Sequence, residues 1–218
     1  MKIKWLAHSA FLITAESGTR IVTDPYKTFD KHKHGEFHDA ADIVTVSHGH
    51  GDHNNVAAVK GNPLVMDKAE VAQGIKDKNV KIKGVMTAHD DAGGSKRGPN
   101  VIFCMDVDGV KICHCGDLGH TLTDAQVKEI GKVDVLMVPV GGTFTVDAAG
   151  ATQVCEQLKP RIILPMHYLT EKIGLPIGKV DDFLKGKGDV KRVDGSEIEV
   201  KAGNLPASTQ IVLLKYAL

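Results

Sequence analysis

Short apolar runs separated by turn-sized polar gaps open the chain. The runs are KIKWL (2–6), AFLIT (10–14) and TRIVTD (19–24), and gaps such as ESG join them. Runs of this length that are rich in β-branched residues are typical of strands, and short polar gaps between them are typical of hairpin turns. The pattern therefore predicts an antiparallel meander over residues 2–24.

A polar stretch, YKTFDKHKHGEFHDA (26–40), interrupts this pattern and is interpreted as a surface loop. Its histidines, His32, His34 and His38, do not follow a predicted strand. We therefore expect them at the surface, as pH-sensitive groups and not as metal ligands. Strands are predicted again by ADIVTVS (41–47) and NVKIKGVMTA (79–88), and short helices by NVAAVK (55–60) and KAEVAQGI (68–75).

The second half mixes strands with better delimited helices. NVIFCMDV and GVKICHC predict a hairpin that turns at Asp108-Gly109, a dipeptide that suits a two-residue turn. One helix is indicated by TDAQVKEIG, which ends on Gly131, and a second by DAAGATQVCEQL, with Asp147 as its N-cap. VDVLMVPV (133–140) and RIILPM (161–166) predict buried strands, and a β-rich tail follows.

This order of elements predicts the α/β (α+β) class, with two sheets and helices outside them. Neither a repeat nor a linker divides the sequence, and 218 residues suit one large domain. We therefore expect a single domain over residues 1–218.

The composition of the chain reduces the number of functional classes to which it could belong. Lysine plus arginine equals aspartate plus glutamate at 27 each, so the formal net charge is zero and a nucleic-acid partner is not expected. The 4 cysteines form no CxxC pair and are too few for a disulfide framework. With no secretion signal and no apolar run long enough to span a membrane, we expect a cytoplasmic protein without a membrane partner.

The stretch SHGHGDHNN (47–55) concentrates candidate metal ligands directly after a predicted strand. In extended backbone, residues two apart point the same way, so His48 and His50 could reach one cation. Asp52 and His53 are adjacent and point apart, which suits a second cation beside the first. Imidazole and carboxylate donors favour zinc, or manganese, iron or nickel, over calcium or magnesium.

Four ligands cannot complete two metal sites, so the remainder must come from elsewhere in the chain. His89, Asp117 and His167 each follow the end of a predicted strand, as the histidine-rich stretch does. Their common position predicts that all of these side chains meet at one rim of the sheets.

The residues His48, His50, Asp52 and His53 form HxHxDH, and here the chain resembles the metallo-β-lactamase superfamily. It looks like the branch of small stand-alone hydrolases that includes ascorbate-phosphate lactonase-like proteins, with further likeness in WLAHSAFLI, TDP (23–25), HCGDLG, PVGGTFT and PMHY. The resemblance implies an αββα sandwich of two mixed sheets flanked by helices, with two divalent metal ions at one edge. It assigns His48, His50 and His89 to one ion, Asp52, His53 and His167 to the other, and Asp117 to a bridge between them.

Two further residues gain a role from the same resemblance. Asp24, in TDP, would support the metal loop by orienting a ligand imidazole, although an aspartate before Pro25 is also typical of a turn. His8 would face the active site, where it could donate a proton or hydrogen-bond substrate; alternatively it holds its own loop. His114 is expected to be a core histidine, and His120 a surface residue at a helix entry.

Two loops contain residues that could contact a substrate. Gly141 and Gly142 allow close backbone approach to a ligand, and Thr143 beside them offers a hydroxyl; a plain connecting loop is the alternative. Arg97 suits an anion, because guanidinium matches carboxylate and phosphate geometry, but a loop arginine can also be simply solvated.

The function expected from these features is that of a metal-dependent hydrolase acting on a lactone, ester or phosphodiester of a small molecule. Two metal ions would lower the pKa of a shared water and polarise the substrate, with Asp52 orienting the water or accepting its proton. The alternatives are a metal-stabilised binding protein without hydrolytic activity, a nucleic-acid phosphodiesterase, and a di-iron electron carrier, which usually has glutamate where His50 stands. Association into a homo-oligomer is compatible with such a hydrolase.

Overall fold

The structure is a computed structural model in which residues 1–68, 75 and 77–218 are described. The strands are β1 Lys2–Ala7, β2 Ala10–Thr14, β3 Arg20–Thr23, β4 Ile43–Thr45, β5 Leu64–Met66, β6 Val80–Ala88, β7 Pro99–Val107, β8 Val110–His114, β9 Val135–Pro139, β10 Ile162–Met166, β11 Val190–Arg192, β12 Glu197–Glu199 and β13 Gln210–Leu213. The α-helices are α1 Asp124–Ile130, α2 Ala148–Leu158 and α3 Val180–Leu184, and short 3-10 turns lie at Val56–Ala58 and Ala202–Asn204.

The strands form two mixed sheets, as predicted. The first has the order β12-β1-β2-β3-β4-β5, and its β1-β2-β3 part is the expected antiparallel meander. The second has the order β11-β13-β10-β9-β8-β7-β6, in which β8, β9 and β10 run parallel and β6 and β7 run antiparallel to their neighbours. Since β6 and β8 both pair antiparallel with β7, the carboxyl ends of β6, β8 and β10 lie at the same edge.

One hydrophobic cluster takes side chains from both sheets and fills the space between them. Trp5, Phe11 and Ile13 contribute from the first sheet, and Phe103 and Met137 from the second. Helices α1 and α2 contact β6 and β9, so they cover the outer side of the second sheet. On the other side of the first sheet, Tyr26 and Phe37 from the long loop complete a second, smaller apolar cluster.

Local signals in the sequence correspond closely to the helices and turns. The Thr123 hydroxyl oxygen accepts a hydrogen bond from the backbone N–H of Gln126, and the side-chain Oε1 of Gln126 accepts one from the backbone N–H of Thr123, so α1 begins with a capping box. Asp147 caps α2, and Asp108 and Gly109 both have positive φ between β7 and β8. The predicted helix over 55–60 is only a 3-10 turn, α3 was not predicted, and the helix predicted over 68–75 lies outside the described residues.

The surface assignment of the long polar loop was wrong for two of its histidines. His32 is fully buried and His34 is 2% exposed, whereas His38 is exposed. Both buried rings pack against Tyr26, which is itself a buried residue of the loop. The loop therefore covers part of the fold instead of extending into solvent. None of the helices in the described part of the chain combines the length and apolarity that a membrane crossing would require.

Candidate metal centre

The predicted ligands lie just beyond the carboxyl ends of four strands. His89 directly follows β6 and His167 directly follows β10, while His48 and Asp117 come three residues after β4 and β8. Three of these strands share one edge of the second sheet, and β4 brings the histidine-rich stretch to the same edge from the first sheet. The fold thus brings together side chains that are far apart in sequence.

The backbone over residues 48–53 is bent, not extended as the spacing predicted. The rings of His48 and His50 nevertheless lie close, with centroids 4.7 Å apart, and the ring of His89 is 4.6 Å from His48 and 5.1 Å from His50. One nitrogen from each of these three imidazoles can therefore surround a common point. The turn, and not a strand pleat, makes the rings converge.

Asp117 lies at the middle of the cluster. Its Oδ2 atom is 3.3 Å from His167 Nε2, 3.4 Å from His89 Nε2 and 3.9 Å from His48 Nε2, and its Oδ1 atom is 3.3 Å from His53 Nε2. A carboxylate that faces four imidazoles in this way can serve two cations at once. This geometry is compatible with the bridging role that the resemblance gave it.

Two glycines explain why Asp117 reaches this position. A Cβ at Gly116 would lie 2.4 Å from Cβ of Ser47, and a Cβ at Gly119 would lie 2.2 Å from the backbone nitrogen of Asp90. Side chains cannot be accommodated at such distances, so the HCGDLG segment can approach both ligand loops only because these positions are glycine. Asn100 completes the support, since its Oδ1 accepts a hydrogen bond from the backbone N–H of Asp117.

A second group of possible ligands includes one residue that was not predicted as a ligand. Atoms of His8, Asp52, His53 and His167 all lie within 4.8 Å of one another. His8 Nε2 is 3.5 Å from Asp52 Oδ2, and its ring stacks on that of His167 with centroids 4.0 Å apart. His8 has a positive φ of 53°, and its carbonyl accepts hydrogen bonds from Trp5 Nε1 and the backbone N–H of His167, which hold this backbone in place.

The contacts of Asp24 explain how the metal loop is held. Its Oδ2 lies 2.9 Å from His53 Nδ1 and accepts a 2.6 Å hydrogen bond from the Ser47 hydroxyl, and its Oδ1 accepts from the backbone N–H of Ser47. Ser47 in turn lies 3.0 Å from His48 Nδ1. The outward nitrogens of two predicted ligands are thus engaged, which leaves their Nε2 atoms facing the cluster. Ser47 was not predicted to take part.

The donor set fits divalent cations. His48 Nε2, His53 Nε2 and Asp117 Oδ1 are buried and have no hydrogen-bond partner within the described residues. Buried polar atoms are costly without a partner, and imidazole nitrogens and carboxylate oxygens are the donors that zinc and related ions prefer. His48, His53 and Asp117 also form one of the groups of three or four residues whose possible ligand atoms lie within 4.8 Å of one another.

The electrostatics of Asp117 and His48 favour the forms that bind metal. Burial alone would raise the pKa of Asp117, but His167 and His53 beside it hold that pKa well below its usual range. Burial lowers the pKa of His48 to about 3, with His53 as a further cause, so its imidazole is neutral over the physiological range. A charged carboxylate and a neutral imidazole are the forms that bind metal.

The structure also places the remaining candidates. His114 is a satisfied core histidine, because its Nε2 lies 2.8 Å from the carbonyl oxygen of Ser9. His120 is half-buried and accepts a hydrogen bond from the backbone N–H of Ala88, so it secures the end of β6 instead of lying free at the surface.

A cavity of about 320 Å³ opens onto the cluster and is bordered by Arg97, Phe144, Phe29 and Leu175. Arg97, a predicted substrate contact, therefore borders this cavity. Thr143 is not part of this lining, and its hydroxyl donates a 2.6 Å hydrogen bond to the carbonyl of Pro176. Its positive φ of 61° turns the side chain to that contact, and the neighbouring Phe144 faces the cavity instead. Thr143, a predicted substrate contact, therefore lies outside the lining of this cavity.

Comparison with known proteins identifies several relatives. Residues 2–167 match the family described as "Beta-lactamase superfamily domain". A UPF0173 metal-dependent hydrolase of Carboxydothermus hydrogenoformans is 32% identical over 209 residues, which cover 84% of this chain and 91% of the relative. A second UPF0173 metal-dependent hydrolase, from Pyrococcus abyssi, is 31% identical over 235 residues, which cover 92% of this chain and 100% of the relative.

A similar solved structure comes from Thermotoga maritima. That protein is described as a candidate zinc-dependent hydrolase of the metallo-β-lactamase superfamily, and it is 39% identical to this chain. The two superpose with a TM-score of 0.80 over 99% of each chain. The likeness therefore extends over both sheets and the rim where the candidate ligands lie.

Proposed function

The chain belongs to the metallo-β-lactamase superfamily, and we propose that it is a hydrolase that uses two divalent cations to cleave a lactone, ester or phosphodiester of a small molecule. The observation that carries this proposal is the convergence of the seven predicted ligands on one rim, where ring nitrogens and a carboxylate oxygen have no hydrogen-bond partner among the described residues. A cavity of about 320 Å³ suits a small molecule, since binding pockets for such ligands begin at roughly this size.

The proposal assigns His48, His50 and His89 to one ion, with Asp117 as the shared ligand. The ligands assigned to the second ion are Asp52, His53 and His167. Zinc is proposed because the donors are imidazole and carboxylate, and manganese, iron and nickel accept the same donors. When bound, such a pair of ions would lower the pKa of a water to about 7 and polarise the scissile carbonyl or phosphoryl oxygen.

Two residues of the chain would orient the water and transfer its proton. Asp52 is the least buried carboxylate of the cluster, with a side chain 21% exposed, and it borders the cavity. We assign it the role of orienting the attacking water and accepting its proton. His8 Nε2 lies 3.5 Å from Asp52 Oδ2 and its side chain is fully buried, so we assign His8 the transient acceptance of that proton from Asp52 and its return, through Asp52, to the leaving oxygen.

Metal analysis together with a substrate panel tests this function. Protein purified without added metal or chelator should contain about two transition-metal ions per chain, and His50→Ala should contain fewer. His38→Ala is the matched control, because His38 is an exposed histidine of the long loop and should change neither value. The panel comprises lactones, 4-nitrophenyl esters and phosphodiesters.

Two outcomes of this experiment would count against the proposal. A protein that binds two ions but leaves the whole panel intact would favour the metal-stabilised binding protein. A protein that binds no metal even after reconstitution would rule out the proposed hydrolytic chemistry.

A further inference from the structure

The mouth of the cavity combines an apolar wall with one unpaired cation. Phe29, Phe144 and Leu175 border the opening, and Phe29 is 43% exposed although it is a large apolar residue. Arg97 borders the same opening. An apolar surface of this kind beside a metal cluster favours a ligand with an apolar part, because pockets for small molecules are lined mainly by apolar side chains that pack on their ligands.

The apolar wall is held by backbone contacts between two loops. The segment after Phe29 pairs with the segment before Leu175: the N–H of Lys33 donates to the carbonyl of Lys172, and the N–H of Gly174 donates to the carbonyl of Lys31, both at 2.8 Å. His32 and Ile173 form a β-bridge between them. Phe29 and Leu175 are thus presented by one paired unit and not by two independent loops.

Arg97 is free to bind a ligand. None of the ion pairs among the described residues involves Arg97, whereas the neighbouring Lys96 is paired with Asp91 at 2.6 Å. The guanidinium carbon of Arg97 lies 5.4 Å from the ring centroid of Phe144, within the range of a cation–π contact. That contact holds a flexible side chain over the cavity while its N–H groups remain available.

A single carboxylate fixes the loop that carries Arg97. Asp90 Oδ1 accepts hydrogen bonds from the backbone N–H groups of Ala92 and Gly94, and Asp90 Oδ2 accepts from those of Lys96 and Arg97, all at 2.8–2.9 Å. Asp90 directly follows His89, a predicted ligand. The peptide that places one imidazole in the metal cluster therefore also sets the distance from the cluster to Arg97.

From these contacts we propose that the substrate is an amphiphilic anion, whose carboxylate or phosphate binds Arg97 and whose apolar part packs on Phe29, Phe144 and Leu175. This inference rests on the proposed hydrolase function, because it assumes that the scissile bond lies at the metal cluster. Asp90 is a positioning residue in this scheme. It acts on the substrate through Arg97.

The first test measures binding and needs no turnover. Metal-loaded protein is titrated calorimetrically with 2-naphthalenesulfonate, an aromatic anion that coordinates metals poorly, and with the neutral methyl 2-naphthyl sulfone. The anion should bind at least about tenfold more tightly than the sulfone, and Arg97→Gln should remove this difference. Arg192→Gln, at an exposed arginine outside the cavity, is the matched control and should keep it.

The second test measures selectivity in turnover. The ratio of kcat/KM for 4-nitrophenyl hemiglutarate to that for 4-nitrophenyl valerate should fall by about tenfold in Arg97→Gln, mainly through KM, and recover in part in Arg97→Lys. Asp90→Asn should lower the same ratio, because the loop no longer holds Arg97 in place. Phe144→Leu should weaken binding of the naphthyl probes, charged and neutral alike.

The two tests separate this inference from the proposed function. Equal affinity for the sulfonate and the sulfone, or a preference that survives in Arg97→Gln, overturns the amphiphilic-anion assignment whether or not the protein is a hydrolase. Selective sulfonate binding without hydrolysis of either ester supports the anion site and counts against the hydrolase function alone.

Discussion

Asp24 Oδ2 and His53 Nδ1 lie 2.9 Å apart beneath the metal cluster, and both side chains are fully buried. This contact determines which nitrogen of His53 faces the cluster, because a ring that donates Nδ1–H to a carboxylate must present Nε2 on its other side. The burial of His53 would lower its pKa, but Asp117 and Asp24 raise that pKa well above its usual value. The loop that carries the HxHxDH residues is thus anchored from below by one aspartate.

We expect Asp24→Asn to weaken metal binding by about 10–100-fold, the usual effect of removing a carboxylate that orients a ligand imidazole. Asparagine can adopt the positive φ of 39° at this position, so the substitution tests the charge and not the backbone. In metal-free protein, loss of a buried ion-pair partner should lower the free energy of unfolding by about 3–5 kcal/mol. Chelator competition and urea unfolding measure the two effects; an unchanged metal affinity would count against the supporting role.

His8→Gln should leave about two metal ions bound and reduce kcat by about 10²–10⁴-fold, because the proposal gives His8 a proton-transfer role and not a ligand role. Metal analysis and steady-state kinetics on the same preparation check this. Loss of one ion in His8→Gln would instead make His8 a ligand, which its position in one group with Asp52, His53 and His167 would permit.

Gly119→Ala should disturb the site although it removes no functional group. The added Cβ would lie 2.2 Å from the backbone nitrogen of Asp90, so the segment with Asp117 or the segment with His89 must move. We expect the free energy of unfolding to fall by about 1–3 kcal/mol and metal affinity to fall with it. Gly18→Ala is a useful comparison for stability alone, because nothing lies within 4 Å of a Cβ there and only its positive φ opposes the change.

Part of the loss of folding stability at acidic pH should arise from His34 in the long loop. Burial lowers the pKa of His34 to about 4, so the folded protein keeps this ring neutral while the unfolded chain takes up a proton near pH 6.5. Stability is therefore expected to fall as pH decreases from about 6.5 to about 4, and to fall less steeply in His34→Phe. Thermal unfolding as a function of pH measures the slope, and the exposed His38→Ala should leave it unchanged.

Much of the fold follows from local signals in the sequence. The capping box at Thr123, the aspartate cap of α2 and the Asp108-Gly109 turn each depend on neighbours a few residues away, and the structure has all three. The missed α3 and the bent backbone over residues 48–53 show where such signals fail. Neither has a strong periodic pattern, and their conformations are set by the elements around them.

Burial of the long loop could not be predicted in the same way. The loop is rich in lysine, aspartate and histidine, which are typical of the surface, yet His32 and His34 are enclosed because Tyr26, Tyr216 and the segment around Ile173 pack against them. The role of Asp90 was missed for a similar reason. An aspartate before a glycine-rich turn is a recognisable signal, but its four hydrogen bonds become visible only when the loop closes.

The sequence by itself determined the family and the two-sheet architecture, and it supplied the candidate donors, because histidine and aspartate side chains that can ligate metals follow the ends of predicted strands. Only the tertiary structure decided which of these atoms face one another, that His8 joins the cluster, that Phe144 replaces Thr143 at the cavity, and that Arg97 is held over it. Contacts between residues far apart in the chain depend on sheet pairing and on close approaches such as that of Gly119 to Asp90, and neither is encoded in local spacing.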